Sequence, residues 1–99
     1  MYGLIGSFTA HSGKREELIA RMTEEVGELP GCLSYIVARD PSDPDLIWIT
    51  EVWDSAESHK ASLTLPAVAA SIKRALPLIA RFGQHTITEP VAGIGLQEA

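Results

Sequence analysis

The sequence predicts an α+β fold, with four strands in one antiparallel sheet and the helices on one side of it. Three observations predict it. Stretches with helical spacing alternate with stretches that read as strands across the 99 residues. The two middle strand-like stretches are joined by DPSDPD, a turn too rich in Pro and Asp to continue either. Breaks rich in Gly and Pro separate the helical stretches from the strands that follow them.

Residues 2–10 alternate loosely and carry Leu4, Ile5, Phe8 and Thr9, which reads as a strand. His11, Ser12 and Gly13 break it, and Ser12 suits a helix N-cap. Residues 13–28 place Leu18, Ile19, Met22 and Val26 at helical spacing, continued by Leu29. Glu16, Glu17, Arg21, Glu24 and Glu25 take the other faces, and the acidic start suits the positive end of the helix dipole. Pro30 and Gly31 end this helix.

Residues 32–39 form the second predicted strand, with Leu33, Tyr35, Val37 and Arg39 on one face. Residues 46–53, LIWITEVW, form the third. Ile47, Ile49, Glu51 and Trp53 share one face, and Leu46, Trp48, Thr50 and Val52 share the other. Both faces are apolar. A sheet covered by one layer of helices should leave a polar face in water, so something must cover the second side. A second copy of the chain is the simplest cover.

Asp54 and Glu57 resemble a capping box before a short helix at 55–62. A longer helix at 66–81 starts on Pro66 and carries Val68, Ile72, Leu76 and Ile79 as a core-facing stripe. Pro77 should bend its last turn, and Gly83 should stop it. Residues 84–89, QHTITE, read as a polar edge strand. Val91, Ile94 and Leu96 suggest that the tail, 91–99, packs on something. The order strand, helix, strand, strand, helix, strand is the ferredoxin-like βαββαβ arrangement, with a single domain over 1–99 and its core at 2–90.

Composition narrows the function classes. A hydrophobic share of 45% and a charged share of 21% suit a globular domain. A net charge of -5 with no basic run argues against nucleic acid. Met1 leads into YGLIGSFTA without a cationic start, so no signal peptide is expected. No stretch approaches the roughly 20 apolar residues that cross a membrane. Cys32 is the single cysteine, which excludes an internal disulfide and suits a reducing cytoplasm, the expected location. No CxxC, HExxH or Gly-rich phosphate loop is present.

LPGCLSYIV, the Pro/Asp turn, a strand ending in ExW and a helix opening near SHKAS resemble the antibiotic biosynthesis monooxygenase (ABM) domain. The resemblance spans roughly residues 2–90, and its specific part runs from Gly31 to His59. It implies a dimeric α/β barrel, in which two ferredoxin-like sheets face each other in a homodimer. It also implies oxidation of a small phenolic or quinol compound by dioxygen without a cofactor. That chemistry needs a dry pocket, a group to take a phenolic proton and groups to hold the ring.

The resemblance implies a pocket tryptophan at Trp53 and a proton-handling His59. Trp53 either stacks on a planar ligand or is a core tryptophan. Glu51, two residues away on the same face, is a candidate proton acceptor; its structural alternatives are a pair with Arg39 or Arg81, or a cap on backbone groups at the dimer interface. His59 can relay a proton near neutral pH or sit as a capping histidine. Tyr35 and Arg39 are candidates for holding a phenolate or carboxylate. Trp48 points to the other face. Cys32 reads as a small buried hydrophobe, and His11 and His85 as loop and edge residues. The family often carries a second histidine after Pro66; here Ala67 follows. Haem-degrading relatives use a histidine on the second long helix, and residues 66–82 contain none. A non-enzymatic or isomerase-type dimeric module of the same fold is the alternative.

Overall fold

The computed structural model describes residues 1–96. Four strands form one antiparallel sheet: β1 (Tyr2–Ala10), β2 (Cys32–Arg39), β3 (Leu46–Trp53) and β4 (Ile79–Thr88). Three helices, α1 (Arg15–Thr23), α2 (Ala56–Ser62) and α3 (Pro66–Ala75), complete a ferredoxin-like α+β fold. The strand order is β2-β3-β1-β4, so β4 is an edge strand, as its polarity predicts.

β3 lies between β1 and β2, and its register is set on both sides. Tyr2 pairs with Trp53, Leu4 with Glu51 and Phe8 with Ile47. Tyr35 also pairs with Glu51, and Val37 with Ile49. Alternation then puts Ile47, Ile49, Glu51 and Trp53 under the helices, and Trp48, Thr50 and Val52 on the open side. The core gathers Ala10, Leu18, Ile47, Ile49 and Ala75, with Phe8, Met22 and Val37 packed against it. On the open side Ile36 is 56% exposed.

The Pro/Asp turn is held from three directions. Asp40 accepts from the backbone N–H of Ser42 and Asp43 at 3.0 and 2.8 Å. Trp48 Nε1 donates to Asp40 Oδ1 at 2.9 Å. Arg15, on α1, donates to the carbonyls of Asp40 and Asp43 at 3.3 and 2.8 Å. The turn residues thus tie the start of α1 to the sheet.

Helix ends differ from the sequence expectations. Ser12 does not cap α1: Lys14 holds the N-cap position, without a side-chain hydrogen bond. α1 stops at Thr23, well short of residue 28, and a single 3-10 turn follows at Val26–Glu28. Thr23 Oγ1 bonds back to Ile19 O at 2.9 Å, and Gly27 disfavours continuation. The N-cap of α2 is Ser55, whose hydroxyl accepts from Ser58 N at 3.1 Å, not Asp54. α3 ends at Ala75; a 3-10 turn through Pro77 leads directly into β4 at Ile79. Gly83 therefore stops no helix. It sits inside β4 beside a bulge, where an added Cβ would lie 2.3 Å from Ser7 Oγ. That hydroxyl accepts from Gln84 N at 2.7 Å and stitches the bulge.

The predicted stripe on α3 is also turned. Its buried residues are Ser71 and Ala75, while Ile72 and Leu76 stay exposed. The small side chains let α3 come close to its neighbours. Ser71 Oγ and Arg74 Nη2 both donate to Glu24 Oε2 at 2.5 Å, and Arg21 takes Oε1, so one carboxylate clasps the end of α1 to α3. The tail is not packed as expected: Val91 and Ile94 are exposed, and Leu96 is half-buried. The remainder of the tail lies outside the described residues.

Candidate active site

Between the helices and the sheet lies a cavity of about 300 Å³. This is near the lower end of the range for small-molecule sites, roughly 300–1,000 Å³. Its wall is mostly apolar, with Met22 from α1, Ile49 from β3, Leu63 after α2, Val68 and Ile72 from α3, and Phe82 from β4. The turned stripe on α3 has a use here, because Ile72 and Leu76 line this space rather than the core.

Four sequence-predicted site residues meet in it: Tyr35, Glu51, Trp53 and His59. β2 and β3 bring the first three together through their register. α2 brings His59. Gly31 lets α2 approach, because its φ is +83° and an added Cβ would meet Ser58 at 2.7 Å. Asp54 N donates to Gly31 O at 2.9 Å and closes the same corner. The His59 ring lies 5.3 Å from the Trp53 ring, edge-on, and 5.6 Å from the Tyr2 ring.

Trp53 is 1% exposed, among the largest fully buried side chains. Its Nε1 donates to Glu51 Oε1 at 3.0 Å. Glu51 pairs with neither Arg39 nor Arg81. Burial raises its carboxyl above the ordinary value of 4.5, while the Trp53 hydrogen bond and the charges of His59 and His85 pull it down. Tyr35 OH donates to the Met22 carbonyl at 3.2 Å. Burial, then the negative charge of Glu51, pushes that hydroxyl's proton affinity up.

Arg39 does not reach the cavity, which corrects the expectation that it holds a ligand there. Its parity faces the helix layer, but at the far end of β2, where it pairs with Glu16 of α1 through Nε at 2.8 Å. Cys32 is half-buried and its thiol is raised, first by burial. Among the described residues, no cluster of three or more His, Cys, Asp or Glu side chains is placed to hold a metal ion. No helix among them is long and apolar enough to cross a membrane.

The sequence reading did not single out Ser62 or Ser71, which also line the cavity. Both are buried polar residues in helices, satisfied through His59 O at 2.6 Å and Glu24 Oε2 at 2.5 Å. Serines falling on the inward side of an amphipathic pattern were the available signal.

A ferredoxin-like sheet with titratable groups gathered in one cavity under its helices defines a class of small α+β protein with a candidate small-molecule site. The chain belongs to the antibiotic biosynthesis monooxygenase family, which matches it over residues 1–74. A crystal structure from Chloroflexus aurantiacus assigned to these monooxygenases is 58% identical, with a TM-score of 0.93, covering 96% of this chain and 97% of that one. One from Deinococcus radiodurans, assigned likewise, is 25% identical, with a TM-score of 0.76 over 99% and 100% of the two chains. A variant of SnoaB, a cofactor-independent oxygenase from Streptomyces nogalater, shares the fold at 16% identity and a TM-score of 0.76, over 94% and 95%. Among curated proteins none matches.

The raised Glu51 carboxyl makes stability depend on pH in a definite direction. The folded chain binds this proton more tightly than the unfolded chain. The group's contribution is therefore fully present below about 4.5 and is lost as pH rises through the raised folded value. Urea midpoints of wild type and Glu51→Gln, measured from pH 4 to 8, should diverge, with wild type losing ground as pH rises. Parallel curves would contradict the assignment.

Proposed function

We propose that the protein is a monooxygenase that oxidises a small phenolic or quinol compound with dioxygen and without a cofactor. The observation that carries this is the convergence of Glu51 and His59 in a mostly apolar cavity beside Tyr35 and Trp53. Family membership supports oxygenase chemistry, and the cofactor-independent oxygenase with the same fold supports its cofactor-free form.

Dioxygen is a triplet and reacts slowly with closed-shell molecules. A phenolate can pass it one electron, which lifts the spin barrier. His59 or Glu51 takes the phenolic proton, and the electron-rich anion gives an electron to dioxygen. The resulting ring radical and superoxide combine, forming a C–O bond at a ring carbon that bears two hydrogens in the keto tautomer. Protonation gives the hydroperoxide. The O–O bond then breaks as the second hydrogen leaves that carbon as a proton. One oxygen stays as a carbonyl and the other departs as water, so the substrate is its own reductant. Low polarity protects the radical pair from water, and the apolar wall supplies it. Arg39 has no part in this scheme, being on the surface with Glu16.

The active form is a homodimer in which the open sheet faces of two copies cover one another. Exposed Ile36, with Trp48 and Val52 on the same open side, supports this. Sedimentation at micromolar concentration should show a dimer; a stable monomer would remove the barrel. Oxygen uptake should rise above background with at least one member of a panel of hydroquinones and anthrone-like phenols, and His59→Ala together with Glu51→Gln should cut it at least tenfold. Absence of uptake across the panel, from folded protein, counts against the reaction.

A further inference from the structure

Glu51 and His59 both lie against one indole. Trp53 Nε1 holds Glu51 Oε1 at 3.0 Å, and the His59 ring sits edge-on to the same indole at 5.3 Å. A tryptophan in a ligand cavity invites a stacking role. Its 1% exposure argues otherwise, since a ring so enclosed has almost no face to offer a ligand.

We propose that Trp53 is a positioning residue: its N–H anchors one oxygen of the Glu51 carboxyl, so that the other is presented to the hydroxyl of a small phenol-type ligand. Among the described residues no second group hydrogen-bonds Glu51. Its free oxygen is not sealed away either, because the buried side-chain atom without a partner among those residues is Arg15 Nε. A carboxyl oxygen with access and no protein donor, on the wall of a cavity, is open to a ligand. Tyr35 has its one O–H committed to the Met22 carbonyl, so it has no proton to donate to a ligand. His59, edge-on to the same indole, remains as the second polar contact.

The anchor has a signature that a packing role lacks. A hydrogen bond from an N–H favours the charged carboxylate, so its removal leaves burial less opposed. The other groups around Glu51 stay in place: His59 on α2, His85 on β4, Tyr35 and Cys32 on β2, and Arg21 and Glu25 at the α1 end of the cavity.

The proposal rests on the reading of the cavity as a phenol site, but its test does not. In Trp53→Phe an aromatic ring, smaller than the indole, is kept and the N–H is lost. With carbon-13-labelled glutamate, and the Glu51 signal identified by its loss in Glu51→Gln, the Glu51 titration midpoint should be higher in Trp53→Phe than in wild type. An unchanged or lower midpoint overturns the proposal. If Trp53→Phe does not fold, wild type answers alone. Its two indole N–H signals should follow different carboxyls, that of Trp53 with a midpoint above 4.5 and that of Trp48 with the Asp40 midpoint below 3.8. A Trp53 signal indifferent to pH across that range overturns the proposal equally. Hydroquinone should bind Trp53→Phe about tenfold more weakly than wild type, the scale of one lost charge-assisted hydrogen bond. If the midpoint moves but hydroquinone fails to bind wild type, the anchoring stands and the phenol reading falls.

Discussion

Pairing of β3 with β1 on one side and β2 on the other decides which way every side chain of LIWITEVW points. A slip of one residue would carry Glu51 and Trp53 to the open face and put Thr50 and Val52 under the helices. Two neighbours hold that register, so it is specified twice: Leu4 and Tyr35 flank Glu51 across the two ladders. The site follows from this parity. A carboxyl and an indole two residues apart on one strand face must both enter the space below the helices, and there they bond to one another.

The helices then decide how much of that space remains. Large residues on the inner side of α3 would fill it. Instead Ser71 and Ala75 take the closest positions, and Ile72 and Leu76 form a wall. The Glu24 carboxylate, shared among Arg21, Ser71 and Arg74, keeps the ends of α1 and α3 together above the sheet. A cavity bounded by apolar side chains has a consequence for charge. Burial is the leading influence on Glu51 and on Tyr35, and it disfavours the ionised form of each.

The strands were the most legible part of the sequence. Residues 2–10, 32–39 and 46–53 stand as predicted, because alternation and turn chemistry act locally and agree with the tertiary pairing. Helix ends were less legible. Ser12 and Asp54 have the right chemistry for caps, but the chain geometry passes that role to Lys14 and Ser55. β4 starts at Ile79 because Pro77 ends the helical run early; Gly83 looked like a stop signal, and its real task is to clear Ser7 at the bulge. At the site, Glu51 and Trp53 could be placed together from parity alone, and Tyr35 joins them by cross-strand pairing. Arg39 shares Tyr35's parity, yet position along the strand carries it to Glu16 on the surface. Parity tells which face a residue takes; it does not tell how far along that face the cavity extends. Which of its two readings Trp53 takes, enclosed in the core or open to a ligand, was likewise beyond reach of the sequence, since it depends on how the helices pack over the strand.

The chain contains two tryptophans, and they report on opposite sides of the sheet: Trp53 below the helices, Trp48 on the open face with its N–H on Asp40. Titrating a hydroquinone into nitrogen-15-labelled protein and following the two indole N–H signals tests the location of the site directly. The expected result is a saturable shift of the Trp53 signal with that of Trp48 unmoved. A ligand that moves Trp48 and leaves Trp53 still would place binding on the open sheet face and contradict the site described above.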